Sequence, residues 1–364
     1  MNDGMPEKMK VCVVNPNYYR SSGVTVAIKR IHRGALLQGV DQQFVGCDHG
    51  DGSEDVEWMP QGTPKTFRLM TSSPVLLVSQ LRAFLRWLRD EQIRVVHVHH
   101  RRLAVLLGPM QKLGGFRLVY TAQLSYPFAP WFWLAGPQRA VAISESVAAN
   151  LRATTRNKRI DIVGNPSDFP EHCPVAAHER AAEGARPSVI CVARLDPVKG
   201  HTHLISAWKL LADRGIPANL VLLGEGALKE TLQAQVRDLG LERLVGFRGF
   251  QQDVAGETDR CQFAVLASQV EGHPLVVIEV AARGLATLVT DVDGSRDCVP
   301  PDQRLPNRIP FGDAPALADA LAAWIDQPDL VVREGRAFYD FHKERNSTEV
   351  VGKKYADLYR SCAE

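Results

Sequence analysis

Short apolar runs, each closed by a turn, constrain this chain more than any other feature. Lys10–Asn15, Phe44–Cys47, Val95–His99, Arg117–Thr121, Val189–Arg194, Asn219–Gly224, Val245–Phe250, Phe263–Ala267 and Leu285–Thr290 all read as strands. Ala140–Glu145 reads as a strand running into a helix. Uninterrupted apolar runs of this length suit strands covered on both faces, which is the situation of a parallel sheet with helical crossovers. Val24–Leu37, Pro74–Gln92, Thr202–Asp213, Ala316–Trp324 and Ser347–Arg360 supply the helical pattern. His172–Pro187 is polar and holds Ala, Glu and Pro, so it is the linker candidate, and the series restarts at Val189. The expected class is α/β, with two doubly wound, Rossmann-like domains facing a central cleft, residues 1–180 and 181–344.

Composition narrows the partners. At 364 residues, 45% hydrophobic and 23% charged, the chain matches a soluble globular protein of two domains. Met1–Lys10 lacks the apolar stretch of a signal peptide, and no run has the length of a membrane span. The seven cysteines are scattered and form no C-x-x-C pair, which fits reduced, cytoplasmic usage without a zinc motif. The net charge of +2 conceals an asymmetry: Lys65–Arg159 holds fifteen Lys or Arg against three Asp or Glu, a local charge of +12. That segment is a candidate for an anionic partner.

The chemistry concentrates in Glu271–Glu279. A strand ends near Ala267, Ser268–Gly272 forms the loop, and Pro274 has the fixed φ that suits the first position of a helix reaching Arg283, with Gly284 to stop it. Free N–H groups at such a helix start favour an anion. Glu271 lies in the loop, and Glu279 sits among Val276, Val277, Ile278, Val280 and Ala281. Either acid alone is most simply a solvated residue; together, beside this strand end, they read as a site. About 80 residues earlier, Arg194-Leu-Asp-Pro-Val-Lys199-Gly200 places two cations just past another strand end, where they suit a pyrophosphate. Gly23, in the small-residue turn after the first strand, offers a weaker phosphate approach. Gly224-x-Gly226 lacks the third glycine of a dinucleotide fingerprint. His201 and His203 do not share a helix face and read as structural, and Asp291-Val-Asp293 reads as a loop.

The stretch EGHPLVVIEVAARG, Glu271–Gly284, resembles the acid-x7-acid signature of retaining glycosyltransferases of family 4, which have the GT-B fold. R-L-x-x-x-K-G at Arg194–Gly200, V-H-x-H at Val96–His99 and A-I-S-E-S at Ala142–Ser146 resemble further motifs of that family. The resemblance spans nearly the whole chain, strongest over Val189–Asp297. It implies transfer of a sugar from a nucleotide-sugar with retention, no cofactor and no metal. It makes Glu271, Arg194 and Lys199 the catalytic set, and gives donor contacts to Gly272, His273, Pro274, Leu275, Val276 and Glu279 as well. Phe250 and Gln251 lie where the base sits, and Gln123 stands where the family usually has a histidine on the donor sugar. The last helix, 345–364, is expected to cross back to the first domain.

The acceptor side carries two unusual stretches. Pro74–Gln92 is amphipathic, with Arg82, Arg86 and Arg89 among its leucines. Tyr126–Leu134 is the densest aromatic cluster, and its two prolines argue against regular structure; it reads equally as a buried plug and as an interface loop. The expected acceptor is lipid-linked or a surface glycan, with peripheral contact to an anionic membrane and no nucleic acid. A nucleotide-sugar epimerase of the same fold and a non-catalytic nucleotide-binding scaffold are the alternatives. Arg194→Ala and Lys199→Ala are expected to cost activity but hardly any stability.

Overall fold

The computed structural model describes residues 9–16, 18, 22–47, 65–135, 137, 139–156, 159–174, 186–251 and 254–364. The chain divides into two compact units, Met1–Pro166 with Thr348–Glu364, and Ser167–Ser347. These boundaries lie at 166/167 and 347/348, against 180/181 and 344/345 from the sequence. Residues 175–185 of the linker candidate, 48–64 of the polar stretch after the second strand, Ser21 of the first turn, and the first eight residues lie outside the described residues.

The first unit is built on seven strands: β1 Met9–Asn15, β2 Val40–Gly46, β3 Lys65–Thr66, β4 Val95–Val98, β5 Arg117–Ala122, β6 Arg139–Ala142 and β7 Ile160–Ile162. Their order is β3-β2-β1-β4-β5-β6-β7, and every pairing is parallel. The order reverses between β1 and β4. The second unit has β8 Ser188–Val192, β9 Asn219–Leu223, β10 Val245–Gly249, β11 Phe263–Leu266 and β12 Thr287–Val289 in the order β10-β9-β8-β11-β12, again all parallel. Its reversal lies between β8 and β11. In doubly wound sheets ligands bind outside the carboxyl ends of strands at such a reversal.

Each sheet is covered on both faces, as its apolar strands require. In the second unit Trp208, Phe263, Trp324 and Phe338 are buried in one cluster. In the first, Phe84, Leu103 and Phe132 pack one face, and Ile31, Tyr355 and Tyr359 the other. The final helix, Thr348–Ala363, belongs to the first unit and lies on the helix Gly23–Leu37. The contact is backbone on backbone: a Cβ at Gly34 would fall 2.1 Å from the Thr348 carbonyl oxygen, and one at Gly352 would fall 2.2 Å from the Gly34 carbonyl carbon. A buried polar chain fixes the register. His97 bonds Tyr359 Oη at 2.8 Å and Thr121 Oγ1 at 2.7 Å, Thr121 bonds Tyr355 Oη at 3.1 Å, and Gln42 donates to Tyr359 at 2.9 Å.

Several elements differ from expectation. The second strand begins at Val40, because Val40, Gln42 and Phe44 alternate inward although two of the intervening residues are polar. Lys65–Thr66, read as loop, pairs as an edge strand. The aromatic stretch contains a helix, Pro130–Ala135; Pro130 is tolerated there because it sits at the helix start. A 19-residue helix, Pro328–Asn346, has no counterpart in the reading, its apolar stripe being broken by charged residues. No helix among the described residues is long and apolar enough to cross a membrane.

Candidate functional site

The reversal between β8 and β11 brings two loops together. The β8 loop carries Arg194, Leu195 and Asp196, then a 3₁₀ turn at Pro197–Lys199, then Gly200 at the start of the helix His201–Asp213. Gly200 has φ +68, and a Cβ there would lie 2.0 Å from the carbonyl oxygen of Ala267, just past β11. Only glycine allows both this left-handed turn and this approach. The Gln269 amide donates to the Val198 carbonyl at 2.8 Å, tying the β11 loop to the β8 loop.

That approach joins two of the three predicted catalytic residues. Lys199 Nζ lies 2.6 Å from Glu271 Oε1, with side chains only 19% and 10% exposed. Each charge compensates the other in a poorly solvated position, and loss of either would strand its partner. Arg194 is different. Its guanidinium is 69% exposed and meets Asp196 at 2.8 Å, so it stands at the rim of the loop. Asp196, which the sequence did not single out, is the partner of that guanidinium. The Gly224-x-Gly226 turn also belongs here: a Cβ at Gly226 would lie 2.5 Å from the Leu195 carbonyl oxygen. The sequence pattern was visible, but its meaning is close packing behind the β8 loop.

Beyond Glu271, Gly272, His273 and Pro274 are buried, and Leu275 and Val276 are half-buried. The helix runs Leu275–Ala281, shorter than the expected Pro274–Arg283, and Pro274 is its cap at φ −66, ψ 116. The ψ of Pro274 is extended, so the helix starts one residue later than the sequence implied. Residues 282–284 form a closing turn in which Gly284 has φ +78. The amides of Leu275 and Val276 therefore precede the first intrahelical bond. Glu279 is half-buried, one turn further along. Burial holds His273 near neutral, pushing it down to about 3, with His342 adding to the effect. His201, also buried, is pushed down to about 4, chiefly by burial and then by the Lys199 charge. It lies under the loop, 3.9 Å from Cys191, in keeping with a structural role. Asp291 and Asp293 both face Arg296, at 2.8 and 3.7 Å. Phe250 is exposed, and the Gln251 amide donates back to the Arg248 carbonyl at 2.9 Å.

In the first unit, Gly23 opens the helix after β1, and Gln123 follows β5. The Gln123 amide lies 3.1 Å from Nδ1 of His99, a buried histidine pushed down to about 3 by burial. The two polar groups beyond β4 and β5 are thus paired with each other. Next to them Arg101 stacks over Phe132 at 4.5 Å and Tyr126 at 5.5 Å and donates to the Pro127 carbonyl at 2.9 Å. The aromatic stretch divides: Phe132 is buried, while Trp131 is 74% and Leu134 65% exposed. Helical spacing over Pro130–Ala135 puts them on opposite faces.

Chemically, the second unit offers a largely buried lysine already paired with a carboxylate, an exposed arginine, and unpaired helix amides, all at the carboxyl edge of one reversal. Cations and amides there suit a phosphate-bearing ligand, and the carboxylate suits hydroxyl groups once the lysine turns to the anion.

Two family models and several known proteins match the chain. Residues 175–339 match the family described as glycosyl transferases group 1, and residues 21–169 match glycosyltransferase family 4. A Campylobacter jejuni N-acetylgalactosamine-N,N'-diacetylbacillosaminyl-diphospho-undecaprenol 4-alpha-N-acetylgalactosaminyltransferase is 36% identical over 116 residues, 32% of this chain and 31% of that enzyme. A Mycolicibacterium smegmatis GDP-mannose-dependent alpha-(1-6)-phosphatidylinositol monomannoside mannosyltransferase is 28% identical over 70% of this chain and 72% of its own length. The matched stretch spans about a third of the Campylobacter enzyme and 50% of a putative glycosyltransferase, EpsF, of Bacillus subtilis. Among solved structures, Anabaena HepE in complex with UDP superposes with a TM-score of 0.80 at 15% identity, covering 97% of this chain and all of that one. A Rickettsia africae glycosyltransferase gives 0.82 at 14% identity, covering 99% and 100%. These likenesses establish the fold.

Proposed function

The chain belongs to glycosyltransferase family 4, and from that premise we propose that it moves a sugar from a nucleotide-sugar donor to a lipid-linked or surface-glycan acceptor. The observation that carries the reading is the Lys199–Glu271 pair at the β8/β11 reversal. The named relatives act on diphospho-undecaprenol and phosphatidylinositol substrates, which supports the lipid-linked acceptor. All of them are transferases, which favours transfer over epimerisation or a scaffold role.

In this reading the donor diphosphate draws Lys199 away from Glu271, and Arg194 closes on it from the rim. The amides of Leu275 and Val276 complete the anion site. These groups stabilise the charge that develops as the bond from the anomeric carbon to the diphosphate oxygen breaks. Glu271, released, holds sugar hydroxyls and orients the donor. The acceptor oxygen bonds to the anomeric carbon on the face the diphosphate leaves, so configuration is retained, and a diphosphate oxygen takes the acceptor proton. No step needs a protein nucleophile or a metal ion. Glu279 accepts hydrogen bonds from the ribose, and Phe250 and Gln251 flank the base. Gln123 stands at the position of the family's histidine, and its amide can hydrogen-bond a sugar hydroxyl.

A panel of nucleotide-sugars tests the reading through protection against thermal unfolding. The true donor at a hundred times its dissociation constant stabilises by about 2.7 kcal/mol. Protection by none of them, with none transferred, would overturn it. Within the site, Glu279→Gln is expected to weaken free nucleoside diphosphate and donor alike. Glu271→Gln is expected to stop transfer while leaving nucleoside diphosphate binding nearly intact. Calorimetric titration of both variants separates a ribose contact from a sugar contact, and equal behaviour would count against the assignment.

The membrane side of the proposal rests on the first unit. Arg82, Arg86 and Arg89 are exposed on one face of the helix Pro74–Asp90, and Val75 is 82% exposed at its start. Trp131, Trp133, Leu134 and Phe128 are exposed in the aromatic stretch. Each cation near an anionic leaflet contributes about 1 kcal/mol, and salt screens it. Sedimentation with phosphatidylglycerol vesicles is expected to bring the protein down at low salt and not at high salt. The triple change of Arg82, Arg86 and Arg89 to Gln is expected to abolish this without harming transfer to a soluble acceptor. Absence of the protein from the low-salt pellet would remove the membrane claim.

A further inference from the structure

A cavity opens at the amino-terminal edge of the first unit's sheet. It has a volume of about 590 Å³ and is lined by the start of β1, the residues just before β4, the end of the helix Pro74–Asp90, the short helix Gln111–Gly114 and the end of the last helix at Ala363. Lys10, Arg89, Arg94 and Lys112 line it, with no acidic side chain among the lining residues. Lys10 reaches Glu91 at 3.4 Å, and Arg89 Nε donates to the Leu85 carbonyl at 3.2 Å. Among the described residues, no salt bridge joins Arg94 or Lys112 to a carboxylate. Met9, Leu88, Ile93 and Leu113 give the same cavity aliphatic walls, and Leu113 is 72% exposed at the surface.

The backbone adds an independent observation. Two of the helix ends that border this cavity close with a left-handed residue. One is Gly115, at φ +69, as such a cap prefers. The other is Gln92, at φ +57, one of two non-glycine residues with positive φ among the described residues. Its turn is a complete Schellman motif, with Ile93 N donating to the Leu88 carbonyl at 2.9 Å and Gln92 N to that of Arg89 at 3.1 Å. Glycine would form this turn at lower cost. The chain keeps an exposed amide side chain there, on the cavity wall.

We infer that this cavity is a binding site for a phosphate ester, with the guanidinium and ammonium groups on the phosphate, the Gln92 amide on a neighbouring oxygen, and the aliphatic wall against the ligand's carbon body. β1 is seven residues long, about 23 Å at 3.3 Å per residue, so the site lies a full strand length from the carboxyl edge where His99 and Gln123 pair. It is therefore an ancillary site and not part of the acceptor's reactive end. The inference stands apart from the donor site, with which it shares no residue; Arg89 is the one residue it has in common with the proposed membrane face.

The chemistry has two sources, a phospholipid headgroup or a soluble phosphate ester, and the experiment separates them. The whole protein is titrated calorimetrically at low salt with monomeric dihexanoyl-phosphatidylglycerol and, separately, with glycerol phosphate. Saturable binding of the lipid at least tenfold tighter than glycerol phosphate identifies a headgroup site; comparable binding of both identifies a soluble ester. In either case Arg94→Ala and Lys112→Ala each weaken binding about fivefold, and Lys199→Ala leaves it unchanged, which excludes the donor site. Gln92→Gly weakens binding while the melting temperature holds or rises, a combination that a merely structural role for Gln92 would not produce. Saturation by neither probe, or binding indifferent to Arg94 and Lys112, overturns the inference.

Discussion

Lys199→Ala is expected to lower the rate of sugar transfer by about a hundredfold or more, the usual consequence of removing one preorganised donor from a site of developing negative charge. It is also expected to destabilise the second unit by about 3 kcal/mol, because Glu271, 10% exposed and 2.6 Å from the lysine, would be left without its compensating charge. Here the structure changes the expectation drawn from sequence, which had stability nearly untouched. Arg194→Ala is expected to lose a similar factor in rate with little change in stability, since its guanidinium is 69% exposed and only Asp196 is released. Steady-state kinetics alongside thermal melts would separate the two cations. If both variants melt together with the wild type, the buried pair is not holding the loop. If Lys199→Ala also turns over normally, the proposed diphosphate site is wrong. The double variant Lys199→Ala/Glu271→Ala should recover part of the stability and none of the activity, because it removes both charges at once.

The second large effect concerns a residue with no side chain. Gly200→Ala is expected to cost about 3 kcal/mol or more and to abolish transfer. Its φ of +68 is one penalty, and the Ala267 carbonyl oxygen 2.0 Å from the new Cβ is the larger one. Relief would require the β8 loop to lift from the end of β11, which would carry Lys199 away from Glu271. The other end of the same helix provides the control. Gly215 has φ +74 and nothing within 4 Å of a Cβ, so Gly215→Ala bears only the backbone term, about 1 kcal/mol. Denaturant melts of the two variants measure the difference directly. Equal losses would mean that close approach is not what position 200 requires.

These two expectations show where sequence and tertiary structure divide. The class of fold was legible because apolar strand runs and helical stripes are local properties, repeated along the chain. The positions of the motif residues were legible too: Arg194, Lys199 and Glu271 stand just past strand ends that neighbouring glycines and prolines announce, and Glu279 lies one turn into the helix that follows. Exact ends were less so. Pro274 fits a helix's first position and a helix's cap equally well by its φ, and only its extended ψ makes it the cap. Lys65–Thr66 became a strand because β2 offered it an open edge, a fact absent from its own sequence.

What the sequence determined by itself was the order of the elements, their alternation and the chemistry carried at each strand end, because backbone propensity and hydrophobic period act over a few residues. What only the tertiary structure decided was pairing across distance. Lys199 and Glu271 are 72 positions apart, and their contact exists because strand order reverses between β8 and β11. The same holds for charge. The sequence counted a surplus of cations over Lys65–Arg159 without saying where they point. The fold draws Arg89, Arg94 and Lys112 from that surplus, with Lys10 from outside it, to one edge of one sheet. The reason is that parallel strands all begin on the same side, so residues scattered along the chain at successive strand and helix ends are gathered there.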